Sequence, residues 1–370
     1  MTEELPGSIA SFQAVLADLL QSDETFAAWR DNPEGFARSR LSGRLALAIT
    51  LLNAEHLYFA SRLYRKKASR AATIPNPADN YSCPASPSEP IVPKAASPPF
   101  IGLSHRPELD HIIGTHPELV QIIEYIIDRF FINENSGVAA LWLLSQQHEL
   151  LLHSLDISIG SPHMDQRLDY LRRVKVLLRA SRVSELSDHI AFTHVGTRKL
   201  PHFVPLWRTE EQLEIVVRNV RFLQEFLDVQ ITLENIACPF DVGGDMTSME
   251  FASELAGRSG CKLLLDISNV LADEENGYCN AAAEFARIKP SDVQGIHLAG
   301  GQWSGCRSVD SHDQPIPQHH LHWLAKLLPK FTSCHSIIVE RDGRFDKSSE
   351  ILDDLTRIHT IAAEVKNGSV

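Results

Sequence analysis

Apolar positions along this chain change their period once. Between Ser8 and about residue 68 they recur at spacings of three and four, as in Phe12, Val15, Leu16 and Leu19 and later in Leu57, Phe59 and Leu63, which predicts a small helical module over residues 1–68. Residues 69–98, "SRAATIPNPADNYSCPASPSEPIVPKAASP", are crowded with Pro, Ala and Ser and show no apolar period, so they read as a linker. After residue 100 the pattern becomes short apolar runs: "FIGLSH", "VQIIEYIID", "ELLLHSLDIS", "SELSDHIAF", "VQITLENIA", "CKLLLDISN", "VQGIHLAGG" and "SIIVERDG". Helical patterns such as "DQRLDYLRRVKVLLRASR" and "EEQLEIVVRNVRFLQEFLD" lie between several of them. Strand then helix, repeated eight times over about 260 residues, predicts an α/β fold, a (β/α)8 TIM barrel over 99–370.

Sites in such barrels lie at the C-terminal ends of the strands, so each run is read from its right-hand end. Run two ends with Glu124 and Asp128, run three carries His153, run four Asp188 and His189, and run five Glu234 followed by Asn235. Run six ends in Asp266 and Asn269, run seven in His297, and run eight in Glu340 and Asp342. The loop expected after run seven holds Asp310 and His312. A single His or Asp at a strand end is more often a cap or a hydrogen-bond partner. Several carboxylates at one buried rim are different, because they repel one another unless cations compensate them. Imidazole and carboxylate without thiolate suit iron, manganese or zinc. Asp188 and Asp310, the acidic members of the two Asp/His pairs, are read as catalytic groups as well as ligands. Asn235 and Asn269 are read either as further ligands or, with Asp128, as groups that orient ligands from behind. His319, His320 and His322 follow the rim and fit the face of the next helix.

Composition narrows the partners. The 370 residues carry 35 Lys and Arg against 47 Asp and Glu, a formal charge of -12, which argues against nucleic acid and anionic membrane surfaces. The start "MTEELPGS" lacks the features of a signal peptide and no apolar stretch is long enough to span a bilayer, so the expected location is cytoplasmic. The six cysteines are scattered without a CxxC pair, which signals neither a disulfide framework nor a thiolate zinc site. No Walker, dinucleotide or GxSxG spacing is present. The basic stretch "RLYRKKASR" fits attraction of an acidic peptide or complementation of a helix dipole equally well.

The ordered series "LLHSLDISIGS", "LSDHIAF", "FVPLWRTEE", "ITLENI", "LLLDISNV", "GIHLAGG", "VDSHDQPI" and "IIVERD" resembles the motifs of the multinuclear non-heme iron-dependent oxidative enzymes, a family that includes the methanobactin biosynthesis catalytic subunit. The resemblance covers roughly residues 100–360. It implies a barrel with two or three irons of mixed Fe(II)/Fe(III) state. Dioxygen would be the cosubstrate, used to modify a residue, often cysteine, in a ribosomally made precursor peptide. The metal positions it implies are His153, Asp188, His189, Glu234, Asp266, His297, Asp310, His312 and Glu340. Departures from the family pattern stand at Ser268, Asn276, Gly301 and around Asp128. The segment "ETFAAWRDNPEGFAR" followed by "EHLYFASRLYRKK" resembles the helical part of the family's partner proteins, and implies recruitment of the precursor's leader or docking of a separate partner; a plain packing module is the simpler alternative. From the residues alone, a non-redox divalent-metal hydrolase or isomerase and a degenerate peptide- or metal-binding protein remain the rival functions.

Overall fold

The computed structural model describes residues 8–71, 99–131, 141–142, 145–146, 148–181, 183–305 and 307–367, with the side chains of 66–71 outside that description. Most of the stretch read as a linker, residues 72–98, lies outside the described residues, as do Cys83 and Cys306.

Five helices open the chain: α1 (Ile9–Gln21), α2 (Asp23–Asp31), α3 (Pro33–Arg38), α4 (Gly43–Thr50) and α5 (Ala54–Ala71). Their starts are chemically marked. Ser8, Ser22 and Asn32 each accept a first-turn backbone N–H through the side chain, and Pro33 opens α3 where its missing N–H costs nothing. The last helix runs three residues into the stretch read as linker.

Each of the eight apolar runs forms one barrel strand: β1 (Phe100–Ser104), β2 (Ile122–Ile126), β3 (Glu149–His153), β4 (Glu185–His189), β7 (Gln230–Glu234), β8 (Lys262–Asp266), β9 (Val293–Leu298) and β12 (Ser336–Val339). They pair in parallel and close in the order β1-β12-β9-β8-β7-β4-β3-β2. Buried on both faces, such strands read as continuous apolar runs. Gly102 permits one close approach in the ring, since a Cβ there would lie 1.7 Å from the Ile122 carbonyl oxygen. The outer helices are α6 (Asp110–Thr115), α7 (Leu168–Ser181), α8 (Glu210–Leu227), α9 (Ser248–Ser259), α10 (Ile267–Glu275), α11 (Ala281–Phe285), α12 (Gln318–Leu327) and α13 (Ser348–Lys366). Among the described residues no helix is long and apolar enough to cross a membrane.

Two antiparallel hairpins were not expected. The first, β5 (Ala191–Val195) with β6 (Arg198–Pro205), follows β4; the second, β10 (Gly300–Ser304) with β11 (Arg307–Gln314), follows β9. Both rise from the C-terminal rim. At the opposite end the barrel interior is closed by Glu185, which accepts from Thr232 and Gln294 and pairs with His335 at 2.9 Å.

The helical module is packed on the barrel and shares its hydrophobic core. Phe12 meets Trp207 with ring centroids 5.4 Å apart, and the buried Gln13 amide donates to the Gly160 carbonyl at 2.8 Å and to Gln212 Oε1 at 3.2 Å.

Candidate metal centre

His153, His189, Glu234 and Asp266 are the last residues of their strands, His297 is the second-last of β9, and Glu340 follows β12 directly. Register places His189 opposite Glu234 and Asp266 opposite His297. Two groups of ligand atoms result, each within 4.8 Å: His153, His189 and Glu234; and Glu234, Asp266, His297 and Glu340. Glu234 belongs to both. Its Oε2 lies 3.4 Å from His189 Nε2 and 3.6 Å from His153 Nε2, while Oε1 lies 3.3 Å from His297 Nδ1.

Other side chains hold these groups in place. Glu124 Oε2 pairs with His297 Nε2 at 2.8 Å, which turns Nδ1 toward Glu234 and Glu340, each 3.3 Å away. This is the carboxylate–histidine arrangement that usually stands behind a metal. Ser187 Oγ pairs with His153 Nδ1 at 2.8 Å and leaves Nε2 facing Glu234. Asn235 is fully used as a brace, donating to the Asp266 carbonyl and accepting from the Asp266 N–H. Asn269 donates to the Asn235 carbonyl, but its Oδ1 is buried and has no hydrogen-bond partner.

The electrostatics of these groups favour a cation among them. Glu124, Glu234, Asp266 and Glu340 are buried around His297. Burial, and then the neighbouring charges of Glu234 and Asp310, push the Asp266 carboxyl well above its ordinary range. Burial also raises Glu234. Burial opposes charge on Glu340 too, yet His297 and His312 outweigh it and hold that carboxyl well below its usual value. His297 is raised well above an ordinary imidazole because Glu124, Glu234 and Glu340 overcome its burial. Glu234 Oε2, Asp266 Oδ2, Asn269 Oδ1 and His297 Nδ1 are buried without a well-directed hydrogen bond. Orphaned carboxylate and imidazole atoms of Glu234, Asp266 and His297, gathered in one group, fit a divalent cation.

The remaining expected site residues are placed differently. Asp188 precedes His189, and strand alternation turns it to the opposite face. Its Oδ2 accepts the Ile157 N–H at 3.0 Å and its Oδ1 the His189 N–H at 2.5 Å, so it anchors backbone and stands outside both groups. That departs from the expectation that it ligates and catalyses beside His189. Asp310 and His312 lie on β11, where a loop was expected; they pair with each other, and His312 Nδ1 is 3.7 Å from Glu340 Oε2. They face the cavity without joining either group, and His312 takes a left-handed backbone with φ 51°. Asp128 accepts from the Leu155 N–H at 2.7 Å and the Tyr170 hydroxyl at 2.9 Å, behind β3.

The departures from the family pattern have structural partners. Ser268 Oγ bonds the backbone of Ala299 and lies 3.0 Å from His320 on α12. Asn276 exchanges two hydrogen bonds with the Ser308 backbone and pins β11. A Cβ at Gly301 would lie 2.5 Å from the Val309 carbonyl oxygen, so a larger residue there would force the hairpin apart. His319 and His322 also sit on α12, away from the two groups. Ser187 was missed, and Glu124, read as a polar end of run two, was given no role as the support of His297.

His153, His189, Glu234 and Glu340 line a cavity of about 350 Å³, together with Phe203, Ile236 and Cys238, Phe59 and Leu63 of α5, and Lys199 and Arg307. The four described cysteines are unpaired, and burial pushes the Cys238 thiol well above its ordinary value.

Comparison with known proteins agrees with this architecture. A UPF0276 protein of Rhizorhabdus wittichii is 30% identical over 252 residues, covering 66% of this chain and 88% of its own length. A UPF0276 protein of Caulobacter vibrioides is 29% identical over 273 residues, covering 73% and 96%. Among solved structures, the crystal structure of IOLI protein with a binding zinc atom superposes with a TM-score of 0.50 at 12% identity, covering 73% of this chain and 99% of that one, a likeness of fold. Residues 100–363 match the family model described as RiPP precursor modification enzyme MbnB/TglH/ChrH, and with the closed barrel and its converging ligand rim this chain belongs to that family.

Proposed function

We propose that this protein carries out an iron- and dioxygen-dependent oxidation of a residue, a cysteine, in a ribosomally synthesised precursor peptide in the cytoplasm. The observation that carries the reading is Glu234, one buried carboxylate facing two separate groups of ligand atoms. A shared carboxylate is what two adjacent cations need. His153 and His189 would hold one ion with Glu234; Asp266, His297 and Glu340 would hold the second with the same residue. Asp310 and His312, across the cavity, are the reserve for a third. When bound, iron supplies a redox couple that passes substrate electrons to dioxygen and deprotonates a coordinating thiol.

The chain's own residues prepare that chemistry. Glu124 fixes which nitrogen His297 presents, and Ser187 does so for His153. Asn235 locks the end of β7 to the end of β8, holding Glu234 and Asp266 side by side. The apolar walls at Phe203 and Ile236 limit water around the reacting side chain. His312, paired with Asp310 and 3.7 Å from Glu340 Oε2, completes the polar side of the cavity.

The test is elemental analysis of protein made with iron supplied and oxygen excluded, followed by oxygen uptake on addition of a cysteine-containing precursor peptide. Two or three irons per chain, with peptide-dependent oxygen uptake, support the reading. Stoichiometric zinc or manganese with little iron and no oxygen dependence replaces it with hydrolase or isomerase chemistry. Protein that takes up no metal is a binding protein.

A further inference from the structure

The helical module reaches the metal rim through one helix. In α5, Tyr64 is fully buried and its hydroxyl donates to the backbone carbonyl of Phe203 on β6. The Phe203 ring in turn stacks on His189, with centroids 3.8 Å apart and an interplanar angle of 25°. His189 also makes a T-shaped contact with His153, with centroids 4.7 Å apart. The candidate ligand thus contacts both a second ligand and a ring whose backbone is tied to α5.

Eight residues earlier on the same helix, His56 Nδ1 lies 3.1 Å from the Tyr278 hydroxyl, which accepts from Arg307 Nη1 at 2.5 Å. Arg307 begins β11. Near its start α5 is therefore tied through Tyr278 to the second hairpin and at its middle to the first, a span of about 12 Å at helical rise. Between the two anchors Phe59 and Leu63 face the cavity. A helix segment fastened at two points eight residues apart, with apolar side chains between them turned to the cavity, is a roof.

We propose that α5 is part of the reaction site: it closes the cavity above the metal rim and, through Tyr64 and Phe203, fixes the orientation in which His189 meets its ion. This rests on the metal centre of the proposed function and assigns the module a positioning role inside the catalytic cavity. Groups that orient a histidine ligand typically change metal affinity 10–100-fold when removed. A flat ring stacked on imidazole restrains its rotation in the same sense as a hydrogen bond to its far nitrogen.

The experiment uses the full chain, freed of metal by chelation and titrated with Co(II), whose visible absorption reports ligand geometry. Tyr64→Phe removes the hydroxyl while keeping the ring volume. Phe203→Leu keeps the backbone carbonyl and apolar bulk but removes the stacking face, and serves if Tyr64→Phe does not fold. Trp29→Phe is the control for mere loss of stability, since it deletes a buried bond within the module, Trp29 Nε1 to the Ile49 carbonyl at 3.0 Å, far from the cavity. The expected result is that Tyr64→Phe and Phe203→Leu weaken one Co(II) by roughly tenfold and shift its absorption, while Trp29→Phe lowers the unfolding temperature only. Co(II) affinity and spectrum like the parent's in both variants overturn the inference and leave the metal centre standing. A parent that binds no Co(II) overturns both.

Discussion

Asn235 and Asp266 hold each other by two reciprocal bonds: Asn235 Nδ2 donates to the Asp266 carbonyl at 2.9 Å, and the Asp266 N–H donates to Asn235 Oδ1 at 3.0 Å. The pair bridges β7 to β8 where both strands leave the barrel. Register alone ends the β7–β8 ladder at Glu234 opposite Leu264, so the side-chain bridge is what carries the alignment to the rim. Asn235→Ala strands the buried Asp266 N–H, at a cost of roughly 1–3 kcal/mol, and takes one bond from the Asp266 carbonyl, which as N-cap of α10 still accepts from its own helix. The expected outcome is a lower unfolding free energy by denaturant titration together with reduced metal per chain. An unchanged metal content would show that Asp266 is positioned by its strand and not by Asn235.

Glu234→Gln separates a bridge from a terminal ligand. Glutamine keeps the shape but loses the charge, so both groups of ligand atoms lose their common anion. Metal per chain is expected to fall by two ions, measured by elemental analysis. The metal-free variant is expected to unfold at the same temperature as the metal-free parent or higher, because a carboxylate that burial holds above its ordinary pKa has been removed. Loss of a single ion would mean that Glu234 serves only one group.

The barrel was legible because parallel strands buried on both faces are apolar runs, and all eight runs became barrel strands. The rim was legible because a polar residue closing such a run has nowhere to point but the strand's end. What was not legible has definite causes. In "LSDHI" both Asp188 and His189 look like ligands, yet the pleat sends neighbours to opposite faces, and only His189 joins the group. The hairpins read as loops because "RKLPHFVP" carries two prolines and "GGQWS" two glycines, both poor strand signals. Glu124 was legible as a polar end of run two, but its partner was not, because only the barrel's closure brings it to His297 from across the ring.

Acid should weaken this fold through His194, apart from any metal. The ring is buried; burial, aided by the charges of Arg167 and Lys199 and opposed by Asp156, lowers its pKa to about 4. Arg167 Nη1 stands 3.1 Å from Nε2. The unfolded chain takes up a proton on this residue near pH 6.5, while the folded chain refuses it until about pH 4. Stability from this group is therefore complete above pH 6.5 and is lost progressively as pH falls toward 4. His194→Gln should flatten that part of the unfolding-temperature profile of the chelator-treated protein, even if it lowers the plateau. A variant profile with the parent's slope between pH 6.5 and 4 would assign the acid sensitivity to other groups.

Removing residues 1–98 tests whether the module is a detachable recruiting arm. Periodic apolar residues show that a helix buries one face, not which surface covers it. Here the cover is the barrel itself: Phe12 lies against Trp207, Gln13 bonds Gly160 and Gln212, and Tyr64 bonds Phe203. Each large side chain uncovered costs roughly 1.5–3 kcal/mol, so losing several at once takes away much of a typical domain's stability. The barrel expressed alone is expected to be insoluble or to elute as aggregates in size-exclusion chromatography, where a detachable arm would leave a monodisperse barrel. Because the two parts share one core, residues 1–71 co-expressed as a separate chain should associate with residues 99–370 and return them to solution. Co-purification of the two pieces, with metal per chain restored to the parent's value, is the outcome that identifies the module as the missing wall of the barrel. A soluble, metal-loaded barrel in its absence would return the module to the role of a recruiting arm.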